Sequence, residues 1–273
     1  MLVVSLAPAA NAAKYAADLR YRTLLMSRQF GEEGRRLSYG SYLRLLELLQ
    51  LQTGLSEEHD ELLFIVAHQA YELWFKVVLH ELAGARSRIE ADDIFYARHL
   101  LRRVYVIEKL LVEQIEVLET MSPQDFLAFR SQLAPASGFQ SVQFREIEFL
   151  SGVKDPGYLA RVEATPDEMN RLRKRLDEPS LADAFRALVK RRGSPALRDI
   201  YMDRERHADL FDLCEALLNH DETFALWRAR HVLMVERQIG GKPGTGGSSG
   251  AEYLRSTLDK RFFPDLWEVR SEL

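Results

Sequence analysis

Two of the seven histidines sit where an imidazole could meet a ligand away from bulk water. His231 belongs to the series Phe224, Trp227, His231, Met234 and Val235, spaced at 3, 4, 3 and 1, so it lies inside an apolar helical stripe. A neutral imidazole in such a wall suits axial ligation of heme iron. It suits equally a core histidine bonded to a carbonyl, and the spacing leaves both readings open. His68 follows Phe64 by four residues and Tyr71 follows it by three, so the three share a face. It too reads either as a core histidine or as one turned to a ligand. Arg130 lies one turn beyond Phe126, beside Phe129. Its guanidinium could fork onto a carboxylate, or its stem could simply cover apolar neighbours at the surface.

The fourth feature is the run Gly240–Gly250, in which six of eleven residues are glycine. It is not a P-loop, because Lys242 precedes Pro243 and the run follows a helix rather than a strand. It reads as a flexible linker, or as a set of exposed N–H groups ahead of a helix predicted over Glu252–Asp259, able to bind carboxylate or phosphate. Other metal chemistry finds little support. No histidine has a glutamate three residues before it, as di-iron bundles require, and His80-Glu81 lacks the second histidine of a zincin. His59-Asp60-Glu61 has the spacing of a facial-triad fragment but stands alone and reads as a helix start. The single cysteine, Cys214, excludes an internal disulfide and any multi-cysteine site, which fits a reducing compartment.

Helices must position these groups. Ser56–Ile89 runs without proline, with Leu62, Ile65, Val66, Leu73, Val77 and Leu82 at helical spacing and Ser56 as the expected N-cap. Its neighbours are so apolar that burial on nearly all sides is expected. A second long run covers about 91–121. Ser122-Pro123-Gln124-Asp125 and Thr165-Pro166-Asp167-Glu168 each read as N-cap, proline at N1 and an acid at N3. Further helices are predicted at about 143–152, 181–192 and 205–239, and strand-type alternation is nearly absent. The expectation is one all-α domain built on long antiparallel helices.

At 273 residues, 47% hydrophobic and 29% charged, the chain has the composition of a folded globular protein rather than a disordered one. A formal charge of −4 gives no general reason to bind nucleic acid or acidic membrane. Met1–Ala13 superficially resembles a secretory signal but lacks a basic start, and no stretch approaches the roughly 20 apolar residues of a membrane span, so a cytoplasmic protein is expected.

Taken together and in order, these strings resemble the tryptophan 2,3-dioxygenase family. They are Ser38-Tyr-Gly-Ser-Tyr-Leu43, the run from His59 to Lys76, Phe129-Arg130, Ser137-Gly-Phe-Gln-Ser-Val-Gln-Phe-Arg145, Trp227-Arg-Ala-Arg-His231 and the loop at 244–250. The resemblance covers about Leu37 to Leu258. It implies heme b, with His231 as proximal ligand, Gly138 beside the cofactor, and ferrous iron for activity. It implies His68 as the distal histidine facing the indole N–H, and Phe64 and Phe126 against the ring. Arg130 would hold the substrate carboxylate, with Thr245 and the glycine loop at the ammonium and carboxylate end and Ser137 and Gly138 also in the pocket. A homotetramer is implied, in which an N-terminal arm (1–36) and Tyr39, Tyr42 and Leu43 serve a neighbour's pocket. The implied reaction takes L-tryptophan and O₂ to N-formylkynurenine. Same-fold alternatives are a heme oxygenase acting on a modified tryptophan or inserting one oxygen atom, and a heme sensor. Phe126 is tyrosine and Ala136 is serine in some bacterial members. The stretch from Gln140 to His231 looks short for the family, which leaves room for a specialised relative.

Overall fold

A computed structural model describes residues 38–273. The arm at 1–36 and the Met1–Ala13 segment lie outside the described residues. The described residues fall into two units, one ending at residue 53 and the other covering 54–273. In the first, α1 (Tyr39–Leu43) and α2 (Leu45–Leu48) are joined at Arg44, whose φ of 52° breaks the helix. Ser38 and Ser41 cap α1 reciprocally, a short helix that hydrophobic periodicity does not reveal.

The second unit is built on three long helices, α3 (Glu61–Glu90), α4 (Ile94–Glu119) and α10 (Ala208–Ile239). Between them come α5 (Pro123–Arg130), α6 (Val142–Ser151), α7 (Pro166–Asp177), α8 (Leu181–Arg191) and α9 (Leu197–Met202). The chain ends through α11 (Ala251–Arg255) and α12 (Pro264–Glu268), and no strand occurs among the described residues. α4 packs against both α3 and α10, so it is the central member. Three residues turn α3 into α4, with Asp92 left-handed at φ 63°, and a link this short makes the two helices antiparallel neighbours. Gly84 lets them approach closely: a Cβ there would stand 3.1 Å from a methyl of Leu100.

The predicted caps at Ser122 and Thr165 form, each accepting from the N3 amide. Ser56 does not cap α3. The helix begins at Glu61, whose carboxylate instead accepts from the amides of Leu55 and Ser56, both at 2.7 Å. Those bonds hold its pKa down against the opposing effect of burial. Nor is α3 buried on nearly all sides. Leu62, Val66 and Leu73, on one face, are 57%, 46% and 53% exposed, because α4, α6 and α8 cover only the other faces. By length and composition α3 does reach the range of a membrane span, with an 18-residue window of mean hydropathy 1.4, more apolar than expected from the sequence. Tyr71, Phe75, Val78, Leu79 and Leu82 on this helix are core residues.

Two buried polar clusters fix the position of α10. His220 Nδ1 pairs with Glu108 of α4 at 2.7 Å, and its Nε2 with the hydroxyl of Ser151 at the end of α6 at 2.8 Å. One residue on, Asp221 Oδ2 accepts from the amides of Phe262 and Phe263 and from the indole N–H of Trp267, at 2.9, 3.0 and 3.0 Å. The C-terminal segment is thereby tied to α10 through one fully buried carboxylate. Asp221→Ala strands three donors in the interior, so about 3 kcal/mol or more of stability should be lost, visible as a fall in the urea midpoint. Asp221→Asn keeps one acceptor and should lose distinctly less. Equal midpoints for Asp221→Ala and the native chain would contradict this anchoring.

Candidate functional site

α3, α5, α6, α10 and the C-terminal end of α4 surround a cavity of about 590 Å³, closed further by the glycine-rich loop and α11. That size is in the range of small-molecule and cofactor pockets. His68, Phe64, Phe126, Arg130, Ser137, Gly138, His231 and Thr245, drawn from five separate stretches of sequence, all line it.

On α10, the His231 ring stacks on Trp227 with centroids 4.9 Å apart and planes at 9°. Trp227 meets Tyr71 edge-on, and the Tyr71 hydroxyl donates to the Leu111 carbonyl at 2.8 Å. Ile115, Leu118, Met234 and Val235 complete an apolar wall. Burial, with a smaller contribution from His68, pushes His231 down to about 4, and no hydrogen bond contributes to that shift. The imidazole is therefore neutral, held in plane by packing, and has no hydrogen-bonded partner among the described residues. A neutral imidazole with a free lone pair is what metal ligation requires.

His68 on α3 differs in one respect. Its Nδ1 lies 2.7 Å from the Phe64 carbonyl, one turn back, and since a carbonyl only accepts, Nδ1 carries the proton. Nε2 then keeps its lone pair. The exposed surface of His68 is cavity wall, and burial among the surrounding atoms lowers its pKa despite that bond and Glu72. The Phe64 ring is 4.1 Å from the His68 ring and contacts Phe126 and Phe129 at 5.6 and 5.7 Å. Such an aromatic corner accommodates a flat ring by stacked and edge contacts.

Arg130 Nη2 donates to the carbonyl of Pro243, which joins the end of α5 to the glycine loop. The loop is no flexible tether. Thr245 Oγ1 donates to the Ala136 carbonyl at 2.5 Å, so towards a ligand this oxygen is only an acceptor. Gly246 fits because it has no side chain, a Cβ there standing 2.6 Å from Cβ of Ser137. Gly250, at φ 65°, passes so close to the Lys242 carbonyl that a Cβ would lie 2.5 Å from it. The helix after the loop, α11, is shorter than the predicted Glu252–Asp259.

Other cavity residues escaped the sequence reading. Glu72 lies one turn beyond His68 and accepts from Ser141 and Gln143 at 2.6 and 2.7 Å, which ties α3 to the start of α6. Arg145, Glu148 and Arg228 form a buried charged group at the cavity edge. The clue to Glu72 was its four-residue distance from His68; the charged group, spread over α6 and α10, had no local signature.

The molecule is thus an all-helical protein in which His68 and His231, from two different helices, line one cofactor-sized cavity, with an arginine and a pinned glycine loop at the same cavity. The family model for tryptophan 2,3-dioxygenase matches residues 26–199 and 186–273. A protein of Nocardioides sp. named tryptophan 2,3-dioxygenase is 57% identical over 260 residues, 89% of this chain and 97% of its own. Proteins of the same name from Herpetosiphon aurantiacus and Myxococcus xanthus are 49% and 42% identical over 87% of this chain. The chain belongs to the tryptophan 2,3-dioxygenase family.

Gly246→Ala forces the loop away from Ser137, a clash that costs about 1–3 kcal/mol locally. Amide exchange over 244–250 should accelerate by about tenfold or more, while amides in α4 keep their native protection. Unchanged exchange in the loop would mean that Ser137 yields instead.

Proposed function

We propose that this chain binds heme b through His231 and cleaves the indole C2–C3 bond of L-tryptophan with O₂, both oxygen atoms entering N-formylkynurenine. The observation that carries this reading is the cavity shared by a neutral, unpartnered His231 on one helix and a His68 with a free Nε2 on another. The residues fit the group: a stacked imidazole, an apolar wall and cationic side chains at one edge are a suitable set for a flat, iron-bearing dicarboxylate. Heme would supply the O₂ and electron chemistry that no side chain can perform.

The protein's own contributions follow from its geometry. Nε2 of His68 accepts from the indole N–H and sets the orientation of the ring. It does not act as a base on free indole, because an imidazole whose pKa lies below its usual 6.5 is too weak to remove so weakly acidic a proton. Phe64 and Phe126 hold the ring faces, and together with the closed loop they exclude water. Arg130 forks onto the substrate carboxylate. The Thr245 hydroxyl, its own proton committed to Ala136, accepts from the ammonium, and Ser137 and Gly138 border the pocket, Gly138 beside the cofactor. Gly240–Gly250 is on this reading a substrate loop.

The same reading gives a homotetramer in which Tyr39, Tyr42 and Leu43 complete a neighbour's pocket. Apolar residues at helical spacing support association: Leu62, Val66 and Leu73 on α3, Val106, Leu110 and Val117 on α4, and Leu226 and Leu233 on α10 are all exposed.

The direct test is anaerobic reduction of the heme-loaded protein, addition of tryptophan and O₂, and product analysis by mass. A product carrying two added oxygen atoms is expected; one added atom, or none, sinks the proposed reaction. His231→Ala should lose bound heme or change its visible spectrum, and a variant with native heme content and turnover refutes the ligand assignment. For Arg130, a charge-assisted pair is worth about 1.5–3 kcal/mol. Arg130→Ala should therefore lower kcat/KM for tryptophan about tenfold to a hundredfold and leave tryptamine, which has no carboxylate, nearly unaffected. Equal losses on both substrates would make Arg130 a structural residue.

A further inference from the structure

At one edge of the cavity the side chains of Arg145 (α6) and Arg228 (α10) converge on a single carboxylate, Glu148, and all three residues line the cavity while being only 4%, 3% and 1% exposed. Arg145 Nη1 donates to Glu148 Oε2. Arg228 donates to Glu148 Oε1 at 2.8 Å and to the Lys260 carbonyl at 3.1 Å. Neither Nε has a partner. The Arg145 guanidinium lies 4.1 Å from the centre of the Tyr158 ring, and that of Arg228 lies 4.8 Å from the centre of Phe224. Tyr253 of α11 adjoins Arg145. The half-buried Lys260 ammonium adds a further positive charge close by, with Asp155 near it. Two guanidiniums against one carboxylate leave an excess positive charge in an environment where an unmatched charge is costly.

Such an excess at a cavity wall calls for an anion from the cavity. Arg130, at the end of α5, is bound to Pro243. Arg228, in contrast, stands three residues before His231 on the same helix, about 4.5 Å along its axis. The geometry points to a second carboxylate-binding corner, formed by Arg145 and Arg228 and oriented by Glu148, which receives the propionate edge of the heme rather than the substrate. This inference rests on the heme reading above. Glu148 holds one N–H of each guanidinium and leaves the Nε of each without a partner, while the ring faces of Tyr158 and Phe224 lie against the two guanidiniums.

The test uses the full chain loaded with either hemin or hemin dimethyl ester, whose propionates carry no charge. The rate of tetrapyrrole loss to excess apomyoglobin is then measured. The native chain should release the ester at least about tenfold faster than hemin, the factor expected from one charge-assisted pair. In the triple variant Arg145→Met, Glu148→Gln, Arg228→Met, which leaves neither a lone buried carboxylate nor a lone guanidinium, that gap should shrink towards unity while the ester's own rate stays near native. Equal release of the two tetrapyrroles by the native chain overturns the corner without needing any variant to fold. A gap that persists in the triple variant also overturns it, and if tryptophan affinity falls at the same time the corner belongs to the substrate carboxylate. A native chain that takes up neither tetrapyrrole overturns the heme reading itself.

Discussion

The cavity is organised around one imidazole kept neutral and held in place by packing. His231 meets those conditions because burial drives its pKa down to about 4 and Trp227 fixes the ring from one turn away. His68, by contrast, has its Nδ1 bonded to the Phe64 carbonyl and its Nε2 free. The two histidines thus differ in their second contacts. Packing alone holds the ring on α10, and a hydrogen bond sets the tautomer of the one on α3.

Packing positions a side chain only as well as the helix carrying it is positioned. α10 is secured well away from the cavity, where His220 bridges Glu108 and Ser151 and Asp221 gathers three donors from the C-terminal segment. These fully buried polar contacts are directional, so they define the rotation and register of α10 more sharply than apolar contacts could. His220, Phe224, Trp227 and His231 follow at intervals of 4, 3 and 4, so a rotation fixed at His220 is transmitted along one face to His231.

The opposite wall is organised by backbone geometry. The glycine loop folds against Ala136 and Ser137 because Gly246 and Gly250 have no Cβ to obstruct the approach, and Arg130 and Thr245 supply its hydrogen bonds. Substrate-sized space therefore lies between a wall set by helix packing and a wall set by a pinned loop. The second is the easier to open, since its contacts are few and partly exposed.

The order of helices was legible in the sequence because caps, prolines and 3.6-residue periodicity are local: Ser122 and Thr165 cap where expected, and α4, α6, α8 and α10 fall within three residues of their predicted bounds. His68, His231, Arg130 and the glycine run were likewise visible as residues able to do chemistry. Local signals failed where a distant or competing partner decided. Ser56 has the composition of a cap, yet the Glu61 carboxylate takes its amide and moves the start of α3. The apolar sequence of α3 suggested burial all round, but how many faces a helix buries depends on how many helices pack on it, and Leu62, Val66 and Leu73 are left uncovered. Glycine content left the loop open between a linker and a ligand-binding cradle, and steric fit against Ser137 makes it a wall. The charged group of Arg145, Glu148 and Arg228 joins residues about eighty positions apart in sequence, a pairing no periodicity encodes. Residue type and helical spacing were settled by the chain alone; which nitrogen is free, which charge is unmatched and which face is exposed were settled by tertiary packing, because each is a property of the neighbours a group acquires on folding.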